Sequence, residues 1–372
     1  MSKVKIPFNS LKLQLEPLSE ELHAAFQRVF DRGWFVMGPE VEAFEKEFAN
    51  WLGMPFAVSM NSGTDALILS LRALGLRQGD EVLCPSFTAL PCWQAVSAAG
   101  CTPVFAEVER DFHTLDPKSA KKLAGPRTRA VLAVHLYGQP CDMKGLARLC
   151  RDKGLFMIED CAQAHGTTCN GKTAGTFGDL SAFSFYPTKN LGALGDAGAV
   201  CGKSSSLEKK LRLLRQYGEE ERYKSVCMGV NSRMDELQAA FLRVRLPKLR
   251  EANMERKALA HAYAEGLAGL PVVAPAVRKG CGHAYHLFVI RAEARDELAA
   301  HLAQKGMGTA VHYPLPGHVQ PVFAKNPALC RMGDLTYTET LAREILSLPF
   351  FPGMKPRDAE TVCGAIREFY GA

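Results

Sequence analysis

From about residue 50 to 250, short apolar runs alternate with stretches whose apolar residues recur every three to four positions. The runs at 56–59, 81–85, 102–106, 130–134, 156–159, 180–184 and 199–201 are four to five residues long or shorter and rich in Val, Ala and Leu. That is the texture of strands buried on both faces. Between them, 64–74, 90–99, 143–153 and 207–217 carry a helical period. Strand and helix in alternation predict an α/β fold: a mostly parallel, seven-stranded sheet with helices on both faces.

Beyond residue 233 the texture changes. Residues 233–265 read as long helices and run into Pro271-Val-Val-Ala-Pro275, a natural break. A smaller α/β unit follows, with a strand over 286–291, a helix over 295–305, a loop over 313–321 and closing helices near 337–346 and 357–370. The expected division is 1–250 for the large domain, with an N-terminal arm over 1–30, and 251–372 for the small one. No repeat or low-complexity segment interrupts it.

The length, 372 residues, suits two such units. The net charge of +6 is spread among acids along the whole chain, so nucleic acid is not an expected partner. A mild basic excess suits an anionic small molecule. Twelve cysteines show no Cys-X-X-Cys pair, so no metal site is expected. No apolar N-terminal leader or run of bilayer length appears. Buried free thiols in a cytoplasmic protein, with no membrane partner, are the expectation.

Three segments carry chemistry. Lys189 lies in Ser184-Phe-Tyr-Pro-Thr-Lys-Asn-Leu-Gly-Ala-Leu-Gly-Asp-Ala-Gly, a glycine-rich loop after a strand, where α/β sheets bind ligands. Asp160 ends the apolar run of Phe156-Met-Ile-Glu-Asp-Cys-Ala-Gln-Ala-His-Gly; a carboxylate there needs a partner, either a cationic ring N–H or the next helix as its cap. Strand alternation turns Glu159 to the other face. Asn61-Ser-Gly-Thr-Asp-Ala opens a helix from a strand, and its free N–H groups suit a phosphate, or an ordinary cap. A lysine for an aldehyde, an acid for a ring nitrogen and a phosphate cradle are what pyridoxal phosphate asks of a protein.

Further marks are Gly33-Trp-Phe-Val-Met-Gly-Pro-Glu-Val, Val82-Leu-Cys-Pro-Ser-Phe-Thr, His135-Leu-Tyr-Gly-Gln-Pro-Cys-Asp-Met and Gly229-Val-Asn-Ser-Arg-Met-Asp-Glu-Leu-Gln-Ala-Ala. Tyr285-His-Leu-Phe-Val-Ile-Arg, His312-Tyr-Pro-Leu-Pro-Gly-His-Val-Gln-Pro and Leu346-Ser-Leu-Pro come later. In this order the motifs resemble the DegT/DnrJ/EryC1/StrS family of pyridoxal-phosphate-dependent sugar aminotransferases, of fold type I.

The resemblance implies a role for each matching residue. Lys189 matches the Schiff-base lysine, Asp160 the acid on the pyridine nitrogen and Gln163 the residue near the ring oxygen; Gly63, Thr64 and Ser184 match the phosphate cup. Asn231 matches an asparagine that the partner subunit delivers to the phosphate, which implies a homodimer with shared active sites. His165 is either a supporting residue or a core histidine. The expected reaction is ping-pong: L-glutamate gives up its amino group, and a keto sugar receives it. Lys189 argues against the branch that carries histidine there and dehydrates.

The loop Lys189-Asn-Leu-Gly-Ala-Leu-Gly-Asp resembles members acting on nucleotide-linked 3-keto sugars. Arg222 and Lys224 are candidates for the nucleotide diphosphate, and His312 and Tyr313 for the sugar. Two departures stand out. The family's ring-stacking aromatic is Ala89 here, and alternation puts Phe87 on the same face as a substitute, with Trp93 or smaller groups as the other options. Ala197 replaces a common glycine. The competing readings are an aminotransferase for a cyclitol or other non-nucleotide ketone, and a non-catalytic regulatory protein that binds the cofactor.

Overall fold

The computed structural model describes residues 5–371. Its central sheet runs in the spatial order Phe56–Met60, Gly198–Gly202, Leu180–Ser184, Phe156–Asp160, Thr128–Val134, Glu81–Pro85, Thr102–Ala106 and Arg331–Met332. Gly198–Gly202 is antiparallel to both neighbours, and every other pairing is parallel. The seven expected strands all form. The eighth is a correction to the expected count: a two-residue edge strand that the C-terminal region returns to Thr102–Ala106.

Burial on both faces explains the unbroken apolar strands; Phe56–Met60 and Glu81–Pro85 have no exposed position. The helices bury one stripe. In Met143–Lys153 the Asp142 carboxylate accepts from Gly145 N–H at 3.0 Å, Met143, Leu146, Leu149 and Cys150 face the core, and Gly154 ends the helix at φ 63°. The expected helix over 207–217 stops at Leu214, because Tyr217 and Gly218 take positive φ and open the hairpin Glu219–Glu221 with Lys224–Ser225. The expected helix over 337–346 ends at Glu344. Ile345–Ser347 extends instead and pairs with Val289–Arg291, burying Ile345 and Leu346.

A second core joins Leu259, Tyr263, Phe288, Ile290, Leu302, Leu346, Phe350 and Ile366. Ile6 belongs to it, bridging to Met307, while Leu335, Leu341 and Ile345 pack into the first core, which Val58, Leu69, Val82, Phe105 and Ile158 build against the central sheet. Residue 250 is therefore crossed by chain segments in both directions.

Two of the sequence marks meet across the fold. Glu236 is fully buried and accepts from the N–H groups of Gly38, Glu40 and Val41 at 2.8–3.0 Å, capping the helix Pro39–Leu52. A Cβ on Gly38 would sit 2.8 Å from that carboxylate. Among the described residues no helix is long and apolar enough to cross a membrane.

Candidate active site

A cavity of about 370 Å³ opens at the C-terminal ends of Thr128–Val134, Phe156–Asp160 and Leu180–Ser184, the crevice that open α/β sheets use for ligands. The helices Gly63–Ala73 and Leu90–Ala98 point their first turns into it. Gly63, Thr64, Ala89, Asp160, Gln163, Ser184, Lys189 and Tyr313 all line it.

At one end, Ser62 caps the helix Gly63–Ala73 by accepting from Asp65 N–H at 3.1 Å. The amides of Gly63 and Thr64 belong to the first turn and have no intrahelical acceptor. A Cβ on Gly63 would lie 2.5 Å from the Ser184 Cβ, and one on Gly198 would lie 2.3 Å from the Ser62 carbonyl oxygen. Glycine at both places lets strand ends and helix start close into a small cradle with hydroxyls from Thr64 and Ser184.

Asp160 ends its strand buried. One carboxylate oxygen accepts from Ala162 N–H at 3.0 Å, and the other from the Cys92 thiol at 3.0 Å, which in turn contacts the Thr88 hydroxyl at 3.0 Å. No helix follows, so Asp160 is not a helix cap; its second oxygen keeps a free lone pair toward the cavity. Glu159 turns the other way, as alternation requires. It accepts from the N–H groups of Gly175, Phe177 and Gly178 at 2.8 Å each and meets His135 Nε2 at 3.1 Å. Burial pushes this carboxyl up, but those donors outweigh it and hold the pKa below the ordinary value. Cys161 completes a trio with His135 and Glu159 of the size that holds a metal. A carboxylate ringed by N–H donors already has its positive partners.

Lys189 is partly covered as a residue, and its amine lies in the low-dielectric floor of the cavity. Burial lowers its pKa to about 8, although the Asp160 carboxylate pulls it up. Its neighbour Asn190 anchors the loop, donating to Asn253 Oδ1 and the Ala284 carbonyl at 2.9 Å and meeting His286 Nδ1 at 3.2 Å. Ala197 keeps a negative φ, so its side chain is tolerated without strain.

Gln163 is fixed at both ends of its amide. Its carbonyl accepts from Tyr137 N–H at 2.6 Å, and its NH₂ donates to the Tyr313 hydroxyl at 3.0 Å. That leaves the Tyr313 proton free to point into the cavity.

Several expected residues lie elsewhere. Phe87 does not face the cavity: its ring is wholly buried in the first core, so the substitute role is withdrawn. The chain bends at 86–88, between the strand Glu81–Pro85 and the helix Leu90–Ala98, which breaks the extended alternation. Trp93 packs edge-on against Phe323 at 5.1 Å. Ala89, Leu90 and Pro91 line the cavity and would border the face of a bound ring. His165 is a core histidine between Phe183 and Phe185, and burial drives its pKa down to about 3.

His312 does not line the cavity; its ring meets Ser347 Oγ at 2.9 Å and stacks on Phe8. Arg222, Lys224 and Asn231 lie outside their own chain's cavity, exposed on and after the hairpin over 219–225; Asn231 accepts from Arg233 Nε at 2.9 Å. Around them Tyr223 and Met228 are 83% and 90% exposed. Cys92, Thr88 and Tyr186 line the cavity without having been singled out. Pro91, at a helix start two residues past Ala89, was the available signal for Cys92.

The residues fit pyridoxal 5′-phosphate. The cradle takes a dianion at a helix N-terminus, Asp160 offers a lone pair to a ring N–H, and the low pKa of Lys189 makes its amine nucleophilic.

The sequence model of the DegT/DnrJ/EryC1/StrS aminotransferase family matches residues 17–367. The dTDP-3-amino-3,4,6-trideoxy-alpha-D-glucose transaminase of Streptomyces venezuelae is 46% identical over 366 residues, covering 98% of this chain and 96% of that one. The erythromycin biosynthesis sensory transduction protein EryC1 of Saccharopolyspora erythraea is 43% identical over 363 residues, 97% of this chain and 99% of that one. The crystal structure of S. venezuelae DesV in complex with a ketimine intermediate superposes with a TM-score of 0.95 at 46% identity, covering 99% of each chain.

Proposed function

The chain belongs to the DegT/DnrJ/EryC1/StrS aminotransferase family, and from that premise we propose that it aminates a nucleotide-linked keto sugar at C3, with L-glutamate as donor. Its cofactor is pyridoxal 5′-phosphate. The observation that carries the reading is that a lysine of depressed pKa, a strand-end carboxylate and a helix-start cradle share one cavity. The 3-keto assignment is supported by the Gly-Ala-Leu-Gly-Asp form of the lysine loop and by the 3-amino product in the S. venezuelae relative's name.

The bound cofactor supplies an electron sink and carries the amino group between the two half-reactions. The protein does the rest. The first-turn amides of Gly63 and Thr64, with the hydroxyls of Thr64 and Ser184, hold the phosphate. Asp160, oriented by Ala162 N–H and Cys92, keeps the ring nitrogen protonated. Lys189, once free, has a pKa close to the working pH and moves a proton as base and then acid. Gln163 directs the Tyr313 hydroxyl toward the reacting groups. Leu67, Leu90, Pro91 and Val134 form apolar walls that limit water.

The active assembly is a homodimer in this reading. Exposed Phe26, Phe30, Trp34 and Phe35 offer an apolar face, and Asn231, Arg222 and Lys224 serve the partner's site, the asparagine at the phosphate and the two cations at the nucleotide diphosphate. His312 supports the sugar site through the Tyr137 hydroxyl, which donates to its carbonyl. Residues 1–250, with an arm over 1–30, and 251–372 form the two domains, a division supported by the second core, most of whose residues lie beyond 250 although Ile6 joins it. The protein is cytoplasmic in this reading, which its twelve free cysteines support.

Spectra of the purified enzyme test the reading. Adding glutamate should convert the lysine-linked cofactor to its amino form, and 3-keto nucleotide sugars should restore it. Restoration by inososes alone would favour the cyclitol reading. No response to any amino donor would favour the regulatory reading that the EryC1 name and Ala89 suggest.

A further inference from the structure

Residues 168–173 form a small hairpin. Thr168–Cys169 pairs with Lys172–Thr173, and Asn170-Gly171 closes it at φ 49° and 77°, the turn that Asn-Gly favours. The strand Cys281–Gly282 pairs antiparallel with its other side, placing Cys281 opposite Cys169 and Gly282 opposite Thr168.

The type of pair follows from the backbone. Asn170 N–H donates to the Gly280 carbonyl at 2.9 Å, which makes 170 and 280 a hydrogen-bonded position. Cys169 and Cys281, one step along, are then a non-hydrogen-bonded pair. Opposite Cα atoms in such a pair are about 4.5 Å apart and the side chains approach most closely. Disulfides span Cα separations of about 4.4–6.8 Å, so this position needs no backbone movement. Both side chains project from one face into the same apolar cluster. Cys169 is covered and Cys281 half-buried, within reach of a small solute.

We propose that Cys169 and Cys281 are a modification site for two-electron oxidants of the peroxide class. The half-buried Cys281 thiol reduces hydrogen peroxide, becoming a sulfenic acid and releasing water. The Cys169 sulfur then attacks the Cys281 sulfur; the S–O bond breaks, and hydroxide leaves as water with the Cys169 proton. In sum, two thiols and one peroxide give one disulfide and two waters.

Burial and the adjoining Cys281 raise the Cys169 pKa to about 11, so the first attack falls to Cys281. The link closes a loop of 112 positions, the difference between 281 and 169. It ties the hairpin that follows Asp160 and Gln163 to the segment carrying Ala284 and His286, on which Asn190 rests. No cavity-lining residue is consumed.

Full-length, cofactor-loaded protein treated with hydrogen peroxide, then blocked with N-ethylmaleimide and digested without reductant, gives the test. The expected product is a peptide pair joining 169 to 281, two hydrogens lighter than its parts and released by dithiothreitol. Oxidation should also raise Tm by a few degrees, and Cys281→Ser should abolish that rise. Finding both cysteines singly alkylated, over-oxidised or joined to other thiols would overturn the proposal. So would an unchanged Tm rise in Cys281→Ser.

Discussion

The Cys92 thiol donates to the Asp160 carboxylate over 3.0 Å, from a helix start 68 residues earlier in the chain. The bond points one oxygen of the acid, and Ala162 N–H points the other, so the carboxylate presents a fixed lone pair to the cavity. Asp160→Asn keeps the shape and removes the charge. We expect kcat to fall by at least about 10²-fold, the usual cost of losing one fixed electrostatic partner. Cofactor retention on dialysis should change far less. A near-normal kcat would mean that another group holds the ring proton.

Lys189 makes the cofactor-free protein sensitive to pH. Its folded pKa of about 8 lies below the ordinary 10.5, so the unfolded chain binds more protons between those values. Stability therefore rises with pH across that window, and the cost of the buried charge is fully present below pH 8. Lys189→Met removes the cost. Cofactor-free Lys189→Met should exceed the parent by up to about 3 kcal/mol at pH 7, with the gap closing near pH 10.5. Urea unfolding at several pH values measures this. A gap that does not shrink as pH rises contradicts it.

Gly63 has room for nothing but hydrogen. Gly63→Ala should force Ser184 and the helix start apart, costing about 1–3 kcal/mol. It should also weaken the phosphate hold, so that dialysis strips the cofactor faster than from the parent. An unchanged dissociation rate would move the phosphate elsewhere.

Phe87 belongs to the core. Phe87→Ala should lose about 3–5 kcal/mol of stability while the cofactor's absorbance maximum stays put. A shifted maximum with little loss of stability would return Phe87 to the ring face.

The sheet strands, the helix start at Gly63 and the loop around Lys189 were legible along the chain, because each is written in a local pattern. Buried strands need continuous apolar runs, a helix start needs a capping residue and open amides, and a close-packed loop needs glycine. Even Asp160 and Glu159 sort themselves by the alternation of a strand. The hairpin turning at Asn170-Gly171 was not read along the chain, because the strands beside it are only two residues long and carry no period of their own.

What the chain could not declare is which distant surfaces meet. Phe87 and Ala89 share a face only while the backbone stays extended, and the bends at 86–88 end that condition. Arg331–Met332 has no strand signature; the open edge of Thr102–Ala106 recruits it through main-chain hydrogen bonds that any side chain can accompany. Ile6 joins the second core, and Cys92 finds Asp160, for the same reason. Local sequence sets dihedral preference and the need for burial. The partner that satisfies a buried group is chosen by the packing of the whole chain, over separations that no local pattern spans.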